Sequence, residues 1–180
     1  VKPVNILRSK HSQWKLTDFG VARLATAEDT DKLASAKYAA PELLNRALGP
    51  ETAKMDLYSL GIVAYELAVG RAQFRKQIPS VFDPNATSVD ITVGSQEKWL
   101  YWHGSPTMRL TPVSQLIPDF PKEISDIIEA MTEKQFEKRV GTAEEVLKKV
   151  AQLGDRSFAR ARNAKEEEQQ QSKRRRLYLA

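Results

Sequence analysis

Ala53-Lys-Met-Asp-Leu-Tyr-Ser-Leu-Gly-Ile-Val-Ala-Tyr-Glu-Leu-Ala-Val69 is apolar nearly all round once its first turn has passed. A helix without a polar face belongs at the centre of a fold, and Gly70 is a natural stop for it. Downstream, Pro121 suits the first position of a helix over roughly 122–132, where Ile124, Ile127, Ile128 and Met131 recur at helical spacing. Thr142-Ala-Glu-Glu145 reads as a capping box that opens a last helix, with Val146, Leu147, Val150 and Leu153 inward and Gly154 as its stop. Residues 71–94, with Pro79 and Pro84, read as a long irregular connection. Ser95 to Tyr101 reads as a short helix whose apolar face is Trp99, Leu100 and Trp102. Upstream, 4–8 and 14–17 read as short strands around a hairpin loop, Ser9 to Gln13. Val21 to Ala39 reads as an extended surface loop. The expected fold is mainly α with a small β-hairpin at its start (α+β).

A length of 180 residues suits one domain with its own core. The absence of Cys excludes a disulfide framework and any Cys-ligated zinc, and fits a reducing cytosol. No apolar run approaches the roughly 20 residues of a membrane-spanning helix. The net charge of +5 is unevenly spread. Residues 155–180 hold eight Lys/Arg against Asp155, Glu166, Glu167 and Glu168. The body is therefore near neutral, and no nucleic-acid partner is expected. His11 and His103 have no Cys or second His at ligand spacing, which points to surface or packing roles. Trp99, Tyr101 and Trp102 are expected in a core rather than on a docking surface.

Three short strings carry the functional signal: Val1-Lys-Pro-Val-Asn5, Asp18-Phe-Gly20 and Ala40-Pro-Glu42. In this order and spacing they resemble the second half of the motif set of eukaryotic-type (Hanks-type) Ser/Thr protein kinases. They correspond to the catalytic loop, the metal-binding loop and the end of the activation segment. Asp56-Leu-Tyr-Ser-Leu-Gly61 resembles the start of that family's buried central helix. Lys138 to Glu145 resembles its closing Arg-containing turn and final helix. The resemblance spans about residues 1–153 and implies a kinase-like C-terminal lobe, followed by a charged tail over 154–180. It implies no N-terminal lobe within this chain.

What the resemblance implies for each residue follows from phosphoryl transfer, where catalysis rests on positioning and on neutralising phosphate charge. Asp18 and Asn5 would hold Mg2+ through hard oxygen donors. Lys2 would stabilise charge on the phosphate being transferred from ATP. Gly20 would permit the turn after Asp18, and Phe19 would set whether Asp18 points inward. Lys2 and Ser35 are the residues the family uses for Ser/Thr rather than Tyr substrates. Thr26 and Thr30 are candidate phosphorylation sites that would order their loop through added negative charge. Glu42 and Arg139 would form a buried salt bridge anchoring the activation segment. Asp56 would hydrogen-bond the catalytic-loop backbone, and Val140 stands where the family usually has Pro.

The expected function is part of an ATP-dependent protein kinase, with protein substrates and the parent protein's N-lobe as partners. The family's His-Arg-Asp, Gly-rich loop, strand Lys and helix Glu would lie upstream of Val1, so the isolated chain is expected to be inactive. A pseudokinase or scaffolding module is the alternative, opposed by the presence of Lys2, Asn5 and Asp18. The basic run Lys173-Arg-Arg-Arg176 resembles the cluster that bacterial receptor-type kinases place just inside a membrane helix. A cytoplasmic location, on the inner face of a membrane if such a helix follows Ala180, is the matching expectation. A solvated charged end or an import-like cluster reads the same run equally well.

Overall fold

The computed structural model describes residues 1–17, 36–82 and 94–154, with the side chains of 94–96 left aside. Within them the fold is mostly helical, with one two-stranded antiparallel sheet. The sheet pairs β1, Ile6–Arg8, with β2, Trp14–Leu16, placing Ile6 opposite Leu16 and Arg8 opposite Trp14. Both strands are shorter than the alternation of residues suggests. Pro3–Asn5 forms a 3-10 turn instead, because proline fixes φ near the helical value. Ser9 N–H donates to Gln13 O, and Ser12 takes φ 59° to close the hairpin.

The segment 53–69 is the spine of the fold. It lies in α2, Lys54–Gln77, after the short α1, Pro41–Leu44. Tyr58, Ile62, Val63 and Tyr65 are buried. α5, Lys122–Thr132, lies against α2 with Ile127, Ile128 and Met131 inward. The two helices are close at Gly61, where an added Cβ would come within 2.8 Å of the Met131 Cβ. α2 is not buried all round, however: Leu60 and Leu67 are 37% and 77% exposed. Apolar residues on every side of a helix say that every side could be covered, and here Leu60 and Leu67 are left open among the described residues.

Gly70 breaks α2 as its sequence suggests, with φ 77° and ψ 158°, a backbone that side chains rarely adopt. The chain does not stay irregular afterwards. Residues 71–77 resume the helix, because Arg, Ala, Gln and Lys are good helix formers and Phe74 gives the turn a buried anchor. Pro79 restrains only the residue just before it, so it ends this turn rather than preventing it.

Phe74 leads into an aromatic stack. It stacks on Trp99 at 6.2 Å, and Trp99 stacks on His103 at 5.4 Å. Both belong to α3, Gly94–Gly104, which runs further than the sequence suggests. Trp99 and Trp102 are core residues, whereas Tyr101 is exposed. Lys134 closes the end of α3 by donating its ammonium to the carbonyls of Trp102 and Ser105. α4, Val113–Leu116, is a single turn with Val113 buried.

A second compact unit begins at Ala143. Its described part is α6, over 143–154, in which Leu147 and Val150 are exposed rather than turned inward. An apolar stripe tells which side of a helix burial would favour, and it needs a second surface to become a core. Among the described residues no helix is long and apolar enough to cross a membrane. The expected loop is described only from Ala36 on, and the charged tail from Asp155 onward lies outside the described residues.

His103 is fully buried and fully bonded. Lys37 O can only accept, so Nε2 carries the proton and donates to it at 3.1 Å, while Tyr58 OH donates to Nδ1 at 2.8 Å. Burial, reinforced by the Lys134 charge, pushes the His103 pKa down to about 3. An unfolded His binds a proton near pH 6.5, so this group's stabilisation is complete above that pH and is lost as pH falls toward 3. Between pH 7 and 5 the loss is about 2 kcal/mol. Urea unfolding at the two pH values should show this loss in the wild type and not in His103→Gln.

Candidate functional site

Two stretches carry most of the described candidate residues: the turn at residues 1–5 with its hairpin, and the segment 36–44. In the first, Asn5 N–H donates to Lys2 O at 2.9 Å, closing the 3-10 turn that carries both residues. Thr17 N–H donates to Asn5 O at 2.9 Å, and Thr17 Oγ1 donates to the same carbonyl at 3.3 Å. Asn5 is thus fixed beside the residue that precedes Asp18. Asp56 Oδ1 accepts from the Val1 nitrogen at 3.4 Å, linking the first turn of α2 to the same loop.

The second stretch is held from three directions. Both oxygens of Glu66 on α2 are engaged, one by Lys37 Nζ at 2.6 Å and the other by Tyr38 OH at 2.8 Å. Ser59 Oγ is 2.7 Å from Tyr38 O, and His103 holds Lys37 O. Burial, with the Glu66 hydrogen bond, raises the Tyr38 pKa, so the phenol stays protonated and donates. Next in the chain, Glu42 meets Arg139. Arg139 Nη1 lies 2.5 Å from Glu42 Oε1 and Nη2 lies 3.0 Å from Oε2, with both side chains wholly buried. The remaining guanidinium hydrogens go to the carbonyls of Glu133, Lys54 and Lys134. The guanidinium also lies over the Tyr58 ring at 4.8 Å. A buried bidentate pair with every donor used is the arrangement in which two charges tolerate removal from water.

Residues 1–151 match the protein kinase domain family. This chain belongs to that family. Among its curated relatives, CBL-interacting protein kinase 10 of Oryza sativa subsp. japonica is 28% identical, over 83% of this chain and 32% of its own length. A Clostridium perfringens protein named "probable serine/threonine-protein kinase" is 32% identical, over 82% of this chain and 19% of its own length. Serine/threonine-protein kinase PknA of Corynebacterium glutamicum is 40% identical over a shorter stretch, 41% of this chain and 16% of its own. The chain thus spans less than half the length of each of these kinases.

Lys2, Asn5, Glu42, Asp56 and Arg139 are described, and the structure places them as above. Asp18, Phe19, Gly20, Thr26, Thr30 and Ser35 lie outside the described residues. His11 is exposed. The clamp on 36–40 by Glu66, Ser59 and His103 has no motif of its own. Glu66 offered one signal: it is an acid late in an otherwise apolar helix, a position that calls for a partner. Replacing Glu66 with Ala strips Lys37 and Tyr38 of a half-buried partner. That substitution should lower stability by about 1–3 kcal/mol, read as a lower urea midpoint at unchanged slope.

Proposed function

We propose that this chain is the C-terminal-lobe part of a Ser/Thr protein kinase that moves the γ-phosphate of ATP to hydroxyls of protein substrates. The observation that supports the proposal is the pair of Thr17 hydrogen bonds to Asn5 O, which holds Asn5 beside Thr17, the residue before Asp18 in the sequence. Asn5 and Asp18 are the residues that would hold Mg2+, which when bound neutralises the phosphate oxygens of the nucleotide. The Lys2 ammonium supplies a further positive charge toward the phosphoryl group in transit. In the transfer, the substrate oxygen bonds to the γ-phosphorus, the bond to the β-phosphate oxygen breaks, and ADP leaves. Ser35 and Lys2 favour Ser and Thr as acceptors. Thr26 and Thr30 serve as sites at which phosphate orders the activation segment. The Glu42–Arg139 pair anchors that segment's end.

Exposed apolar surface supports a division of the kinase domain between this chain and a further lobe. Trp14 is 70% exposed and Val4 68%, with Leu7 and Leu16 also open on the hairpin and Leu60 and Leu67 open on α2. Apolar groups gathered on one hairpin favour burial against other protein. The parent protein's N-lobe is the cover we assign to the hairpin, together with the residue that accepts the substrate proton. We assign 1–153 to the lobe and 154–180 to a basic tail. The site would then work in the cytoplasm, and Lys173–Arg176 would favour an anionic membrane face without anchoring to it alone.

In the parent protein, Asp18→Ala should lower phosphate transfer from labelled ATP to a protein substrate by about 10³-fold or more, because metal neutralisation contributes several kcal/mol. The 1–180 chain alone should transfer none. Full activity in the variant would sink the assignment of Asp18, and transfer by the chain alone would sink the divided domain.

A further inference from the structure

The helical turn after Gly70 carries charges that the chemistry above leaves unused. Arg71 and Arg75 are four residues apart, hence on one face, and both are exposed. Arg75 shares an aromatic cluster with Lys37. Lys37 Nζ lies over the Phe74 ring at 4.8 Å, Phe74 meets Phe82 at 6.4 Å, and the Arg75 guanidinium lies over Phe82 at 5.3 Å. The acid of this group, Glu66, has both oxygens committed to Lys37 and Tyr38. Its charge is cancelled locally by Lys37, which leaves two arginines facing solvent. The Lys37 pKa is lowered, by burial first, against the pull of Glu66, and then by Arg71 and Arg75. The three cations are therefore close enough to repel one another, and an added anion would relieve that repulsion.

The position of this patch gives it an occupant. Lys37 is two residues along the chain from Ser35, to which the proposed function gives the choice of Ser and Thr as acceptors. Two residues span at most about 7 Å. We propose that Arg71 and Arg75 form a docking surface for acidic side chains of the protein substrate, flanking the Ser or Thr that is phosphorylated. The planar guanidinium suits carboxylates, which it can engage through two parallel hydrogen bonds. Lys37 does not bind substrate but holds Glu66, keeping the surface free of competing negative charge. The proposal rests on the kinase function above and adds its substrate class.

The test uses the full-length parent protein and Ser peptides carrying Glu, Ala or Arg at each flanking position. Glu-bearing peptides should exceed Ala-bearing ones by about 5-fold in kcat/KM, as two exposed ion pairs allow. That preference should fade between about 50 and 500 mM salt. Arg71→Glu with Arg75→Glu should reverse it toward Arg-bearing peptides, with transfer to the Ala peptide within about 2-fold of wild type. Equal use of Glu and Arg peptides by the wild type would overturn the proposal, as would an acidic preference that survives in the double variant. Binding of a fluorescein-labelled Glu-rich peptide, followed by anisotropy, needs no catalysis. A protein without transferase activity that still binds this peptide through Arg71 and Arg75 would refute the kinase function and keep the surface. Binding that is unchanged in the double variant would refute the surface alone.

Discussion

Two opposite charges withdrawn wholly from water hold this fold in its working shape. Glu42 and Arg139 lie 97 residues apart in sequence and meet through two hydrogen bonds in the core. Such a pair adds little net stability over apolar residues of the same shape, because removing both charges from water offsets their attraction. Its effect is on specificity: either charge alone would be intolerable there, so the chain has one way to close. Around Arg139 the carbonyls of Lys54, Glu133 and Lys134 converge, so the start of α2 and the turn after α5 are fixed by one guanidinium.

From that point the constraint passes along the chain. With Glu42 fixed, the residues before it run back over α2 and meet Ser59, Glu66 and His103 in turn. The buried His103 serves this arrangement as a neutral bridge between Tyr58 and Lys37 O. In the first turn of α2, Asp56 accepts from the Val1 nitrogen, at the loop that carries Lys2 and Asn5. One helix thus holds both stretches, through Asp56 in its first turn and through Ser59 and Glu66 further along.

Much of this was legible in the sequence, and the limits are physical. The α5 helix was readable because its apolar residues recur at one period and only one face is buried. The Glu42–Arg139 pair was readable only through resemblance, since no local pattern predicts a contact across 97 residues. The clamp on Lys37 and Tyr38 was not readable: Glu66 stands out as an acid in an apolar helix, but nothing in the sequence says that Lys37 and Tyr38 are its partners. The turn at 71–77 was missed because two prolines downstream read as a loop, while helix propensity and the buried Phe74 decided otherwise. Leu147 and Val150 show the converse: periodicity marks a face, and only tertiary structure says whether it is covered.

The most direct test of the Glu42–Arg139 constraint is a double-mutant cycle read by urea unfolding, with Glu42→Gln, Arg139→Met and the pair together. If the two charges hold each other in the core, each single change costs about 3–5 kcal/mol, because it leaves a buried charge unpaired. The double variant then costs less than their sum, with a coupling of about 2 kcal/mol or more. Effects that add to within about 0.5 kcal/mol would contradict a buried, mutually dependent pair.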